Sequence, residues 1–117
     1  MSYRFSTCLY VSNLLATVTP LVANPIDPNP TVVTGQVEFN GLTGHNAVIT
    51  QGTQQAIVDY THFNIPEGSS VQFIQPNSDA ALLNRITGSD PSIINGSLTA
   101  NGQIYFVNPA GVTFGTN

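Results

Sequence analysis

Ile94-Asn95-Gly96-Ser97-Leu98-Thr99-Ala100-Asn101-Gly102-Gln103-Ile104-Tyr105-Phe106 is the stretch that decides the fold. Its even positions are all apolar or Gly. Its odd positions hold Asn, Ser, Thr, Asn, Gln and Tyr. Period-two alternation puts one face of an extended backbone in a core and the other in water. Asn95-Gly96 and Asn101-Gly102 punctuate the run, and Asn108-Pro109-Ala110-Gly111 ends it. Val112-Thr113-Phe114 then resumes the alternation. Strands this short, turning this often, describe a chain that winds rather than one that pairs in long hairpins.

The same signals extend upstream. Gly35-Gln36-Val37-Glu38-Phe39 runs into a turn at Asn40-Gly41. Ala47 to Thr50, Ala56 to Tyr60 and Val71 to Ile74 are further short strand candidates, and Gln75-Pro76-Asn77 stops the last of them. Asp79 to Ile86 alone has a helix-favouring composition, yet it is too short to stand as a helix and suits a strand passing a corner equally well. An apolar-x-Phe core recurs at Val37, Val71, Ile104 and Val112. Loose recurrence is what a solenoid produces, each coil adding an inward pair to one stacked core. A β-sandwich also explains turn signals at this density. Very short strands favour the solenoid. So do Asn77, Asn84, Asn95, Asn101 and Asn108, read as corner residues, because Asn tolerates left-handed backbone and bonds locally. The expected core is Val37, Phe39, Ile49, Ile57, Phe63, Ile65, Val71, Phe73, Leu82, Leu83, Ile86, Ile94, Leu98, Ile104, Phe106, Val112 and Phe114.

Composition narrows the function. Charged residues are only 7% of the 117, Lys is absent, and the net charge is −4. Nucleic acid is excluded as a partner because phosphate binding needs a basic stripe. A neutral polar surface of Asn, Ser, Thr and Gln suits an exported β protein. Residues 1–23 read as a signal peptide: Arg4 gives a positive start, and an interrupted apolar run from Leu9 ends in Leu21-Val22-Ala23. Cleavage there removes Cys8, the one cysteine, so the exported chain uses no disulfide. Residues 24–34, with Pro25, Pro28 and Pro30, read as an extended lead-in.

Six blocks now stand in order: Phe63-Asn-Ile-Pro-Glu-Gly68, Val71-Gln-Phe-Ile-Gln-Pro76, Leu83-Asn-Arg-Ile-Thr-Gly88, Pro91-Ser-Ile-Ile-Asn-Gly96, Leu98-Thr-Ala-Asn-Gly102 and Val107-Asn-Pro-Ala-Gly-Val112. In order and spacing they resemble the N-terminal two-partner secretion domain, the filamentous haemagglutinin-type domain of large Gram-negative exoproteins. Residues 35–117 would be the front part of that domain. The family often has Asn-Pro-Asn-Gly where this chain has Asn108-Pro109-Ala110-Gly111, and Trp where Tyr60 stands. The resemblance implies an all-β fold, a right-handed parallel β-helix with flanking short strands, incomplete at its C-terminal end. It implies secretion to the outer cell surface through the periplasm, with the periplasmic domains of a dedicated outer-membrane transporter as partner. It further implies a haemagglutinin- or adhesin-type passenger downstream, which would meet any host glycan or protein receptor. Asn84, Arg85, Gly88, Asn101, Gly102, Asn108, Pro109 and Gly111 are the motif residues it marks as candidates for transporter recognition. An autonomous surface β-solenoid binding carbohydrate or protein is the alternative.

The chemistry of the side chains points away from an enzyme. Asp59, Glu67, Asp79 and Asp90 are scattered at turns and do not form the paired carboxylates of sugar hydrolysis. His45 and His62 lack the further ligands that a metal site needs, and no cofactor motif is present. Arg85 also has a purely structural reading, as a fork onto backbone carbonyls at a corner or as an ion pair with a nearby acid. Asn108-Pro109 forces a turn whether or not a partner reads it.

Overall fold

The computed structural model describes residues 25–115. The signal peptide expected at 1–23, with Arg4 and Cys8, lies outside the described residues. Ten strands and no helix make up the described part: β1 Thr31–Thr34, β2 Val37–Asn40, β3 Asn46–Gln51, β4 Gln55–Tyr60, β5 Ser70–Ile74, β6 Ala81–Ile86, β7 Ser92–Ile94, β8 Ser97–Ala100, β9 Gln103–Val107 and β10 Val112–Phe114. The Asp79 to Ile86 segment is thus resolved as a strand from Ala81 onward. Its Leu82, Asn84 and Ile86 point inward at period two, which a helix would not allow.

Three stacks of strands follow from the pairing. The first has the order β2-β3-β5-β8, the second β1-β4-β6-β9, and the third joins β7 to β10. A parallel bridge from Ile65 to Ile94 extends the third stack by one level. Successive levels pair in parallel: β3 with β5 and β5 with β8, β4 with β6 and β6 with β9, β7 with β10. Three layers result: β3, β4 and the Phe63–Ile65 segment; then β5, β6 and β7; then β8, β9 and β10. The sheets are nonetheless mixed. β1 runs antiparallel to β4, with a bulge between Val32 and Thr34, and β2 runs antiparallel to β3. The fold is all-β as expected, but its sheets are mixed where a parallel β-helix with flanking short strands was expected. The cause is local: Gly35, at φ 82°, turns β1 into β2 above the first layer.

The inward faces stack residue over residue. Ala47, Val71 and Leu98 form one ladder; Ile49, Phe73 and Ala100 another; Ala56, Leu82 and Ile104 a third. Aromatic rings tie the stacks together. Tyr60 meets Phe63 edge-on at 5.1 Å between centroids, and Phe63 meets Phe106 at 5.0 Å. Such edge and tilted contacts add to the area they bury.

Four expectations are corrected here. Ile57 and Leu83 are not core residues, because the inward positions of their strands are Ala56, Val58 and Tyr60, and Leu82, Asn84 and Ile86. Adjacent strand residues face opposite sides, so Leu82 and Leu83 cannot both be inside. Phe114 is 63% exposed, on the last strand of its stack. Asn84 lies buried in mid-strand, not at a corner. The apolar-x-Phe recurrence is also not the layer period. Val71 pairs with Leu98, not Ile104, and Val37 sits in an antiparallel strand. One layer of rise is 24 residues from Asn46 to Ser70 and 26 from Tyr60 to Ile86.

Candidate functional site

β6 places two of the candidate residues on opposite faces. Asn84 points inward and is fully buried. Its Oδ1 accepts the Tyr60 hydroxyl at 3.0 Å, and its Nδ2 donates to the Tyr105 carbonyl at 3.2 Å. Burial, with the Asp27 charge adding to it, pushes the Tyr60 pKa well up, so the phenol stays neutral and donating. Arg85 points outward and is directly in register with Asp59 on β4. Its Nε donates to Asp59 Oδ1 at 2.6 Å and its other nitrogen to Oδ2 at 3.0 Å. This two-point bond raises the Arg85 pKa further. The Arg85 side chain is still 42% exposed, so a partner could reach it.

Gly88 sits in the corner after β6. Its N–H donates to the Thr61 carbonyl at 3.1 Å, and any Cβ there would run into that same oxygen. Only glycine permits such an approach. Asn101 and Gly102 share the corner between β8 and β9 and one partner, Gln75. The Asn101 amide brackets the Gln75 backbone, accepting from its N–H at 2.7 Å and donating to its carbonyl at 2.8 Å. The Gly102 N–H donates to Gln75 Oε1 at 2.9 Å.

Asn108, Pro109 and Gly111 make the turn between β9 and β10. Asn108 Oδ1 accepts the Ala110 N–H at 2.9 Å, and its carbonyl accepts the Gly111 N–H at 2.9 Å. Its Nδ2 reaches back to the Asp90 carbonyl and the Ser92 hydroxyl, both at 3.0 Å. Residue 110 gives that bond to Asn108 Oδ1 only its backbone N–H, so Ala in place of Asn at 110 leaves it intact.

The candidates therefore fall into five places with five sets of partners. The structure unites Asn101 with Gly102, and Asn108 with Pro109 and Gly111. It separates Asn84 from Arg85 although they are adjacent in sequence.

Three other polar residues do comparable work. Asp27 is buried; its carboxylate accepts the N–H groups of Thr61 and Asn29, each at 2.9 Å. Burial alone would raise its pKa. Hydrogen bonds from the Thr61 backbone, the Asn29 backbone and the Thr61 side chain, with His62 nearby, outweigh that and hold it below the usual range. In sequence Asp27 falls within the lead-in read at residues 24–34, and nothing there sets it apart. Gln51 and Gln75 are buried and joined, Gln75 Nε2 to Gln51 Oε1 at 3.0 Å. Nothing in composition distinguishes them from the exposed glutamines.

An open groove of about 650 Å³ lies between Glu67, Ser69, Asn95, Leu98 and Phe114. His45 Nδ1 and Ser69 Oγ stand 3.5 Å apart, longer than the roughly 2.6–3.2 Å of a working base and nucleophile. Among the described residues no group of three or more His, Cys, Asp or Glu is placed to hold a metal ion.

With this geometry in place, comparison with known proteins is decisive. Residues 25–117 match the TPS (two-partner secretion) secretion domain. The chain belongs to the TPS secretion domain family. It is 41% identical over 80 residues to a heme/hemopexin-binding protein of Haemophilus influenzae, covering 68% of this chain and 9% of the relative. A second heme/hemopexin-binding protein, from Haemophilus influenzae strain Rd, is 36% identical over 90 residues, covering 77% and 10%. The crystal structure of the HMW1 secretion domain from Haemophilus influenzae superposes with a TM-score of 0.72 at 33% identity, covering 79% of this chain and 24% of that one. The chain thus spans about a tenth of the length of these curated relatives. A TPS secretion domain serves exoproteins secreted through two-partner systems.

Proposed function

We propose that residues 25–115 are the front of a secretion-targeting domain that leads a haemagglutinin- or adhesin-type exoprotein out of a Gram-negative cell. The periplasmic domains of a dedicated transporter take up the chain in extended form. Outside, the chain winds as a right-handed parallel β-helix on the cell surface. The observation that carries this reading is the family match laid over strands that pair in parallel, layer upon layer, from Asn46 to Phe114.

Physical features support each step. No cysteine lies between Pro25 and Asn117, so no disulfide can lock the chain before it crosses the pore. Parallel pairing closes long loops before it returns any contact, which is slow and keeps the chain open in transit. Backbone groups of an extended segment can add to an exposed sheet edge of the transporter. The domain is read as non-enzymatic, and its cargo's chemistry belongs to sequence beyond it. Relatives named for heme and hemopexin binding make a heme-carrier-binding passenger the second reading of that cargo.

The test is export. Residues 1–117 fused to a reporter and co-expressed with a two-partner-secretion outer-membrane transporter should appear in the medium. Unfolded 25–117 should bind that transporter's soluble periplasmic domains. No binding, together with export independent of the transporter, would overturn the reading in favour of an autonomous surface solenoid.

A further inference from the structure

Buried side-chain amides in this stack bond forward, from one layer to the backbone of the next. Gln51 closes the first layer's β3. Its Nε2 donates to Thr53 O at 2.7 Å within its own layer and to Ala81 O at 2.9 Å in the layer below. Gln75 stands one layer on. Its two shortest amide bonds run to Gln51 Oε1 behind it, at 3.0 Å, and to Gln103 O ahead, at 2.9 Å. Ala80 O lies near the same nitrogen at 3.3 Å. Its Oε1 accepts the N–H of Gly102, also ahead. Asn84 repeats the pattern on the second stack: Tyr60 behind, Tyr105 O ahead. Gln51, Gln75 and Asn84 are 3%, 4% and 0% exposed.

The amides that bond backward are different. Asn101 and Asn108 reach the previous layer from positions nearer the surface, where water serves them in its absence. A buried amide has no such substitute, and leaving one unpaired is costly.

We propose that Gln51, Gln75 and Asn84 are register keys, each oriented by residues already wound and each presenting its remaining donor or acceptor to the backbone of the layer that follows. A strand offered out of register by one residue turns its apolar side chains outward and also leaves a key unpaired. Hydrophobic stacking tolerates a slip by two, but that slip would set Ala100 or Ile104 where Gly102 now stands, and a Cβ there would meet the Gln75 amide at 2.8 Å. Order follows from this. The keys exist as fixed groups only after the layer that holds them has formed, so winding proceeds from the Asp27 end toward Phe114. The inference rests on the layer pairing and stands whether or not the chain is exported.

The test is hydrogen exchange on the full chain. In Gln75→Leu, the amides of β9 and its preceding corner should exchange about tenfold faster or more, while those of β3 and β4 keep their protection. A uniform loss of protection, or none, would overturn the proposal. Pulse labelling during refolding of the unaltered chain gives an independent reading, and decides alone if Gln75→Leu does not fold. Amides of β3 and β4 should become protected before those of β8 and β9. The reverse order, or simultaneous protection, would reject the keys as guides of winding.

Discussion

Asp27 fastens the start of the described chain with one carboxylate. Its pKa is lowered in the folded state, so its contribution is present above the unfolded value near 4 and is lost as pH falls through the folded value. Acidification below about pH 5 should therefore weaken the fold. Asp27→Asn should cost about 2 kcal/mol at neutral pH and flatten that acid slope, as read by urea melts across pH. Tyr60 is the opposite case. Its raised pKa predicts that Tyr60→Phe leaves the phenolate absorbance of the folded chain unchanged near pH 10, where free tyrosine ionises, and that stability falls as pH rises beyond that. Tyr60→Phe leaves Asn84 Oδ1 buried without its donor, at a cost of about 1–3 kcal/mol in denaturant melts. Arg85 is half in water, and its pair with Asp59 is a surface pair. Arg85→Met should melt close to the unaltered chain. If export stops in that variant while the melt holds, the residue is read by the transporter. At this scale the sequence revealed least. An ion pair between Asp59 and Arg85 needs the layer pitch before the two can be matched, and Asp27 stands in a segment that reads as mere lead-in.

Short strands and their corners were far more legible. Parity carries through from Ile94 to Phe106, with Ile94, Leu98, Ile104 and Phe106 all turned toward the core, because each Asn-Gly corner consumes an even number of residues. The misplaced residues have one cause. Ile57 and Leu83 sit in strands whose two faces are both rich in aliphatics, where alternation gives no phase. Only pairing reveals that Ile57 stands over Leu83, which stands over Tyr105, all on the outer face. The corners themselves are demanding. Gly88→Ala would push a methyl group into a backbone carbonyl, which side-chain motion cannot relieve, and should cost about 1–3 kcal/mol by thermal melt. Asn108→Ala removes the ties from the β9–β10 turn to Asp90 and Ser92. It should loosen β10 selectively, with faster exchange at residues 111–115 and little change in β3 to β6.

As a whole the molecule has unlike ends. Tyr105, Val107 and Phe114, in the last layer, are each more than half exposed, and the strands there carry unpaired backbone on one side. Such an edge recruits other chains. The isolated segment should self-associate as concentration rises, by sedimentation velocity, and Val107→Lys should reduce it. At the other end β1 and β2 run against their neighbours. That antiparallel pair ends the parallel stacking, so further layers of the same kind add at the opposite end. Each added layer consumes the surface that received it and recreates an equivalent one beneath. Such a device contains no ruler: its length is set by how much polypeptide is supplied, and a passenger of any size can be appended without altering the first turns.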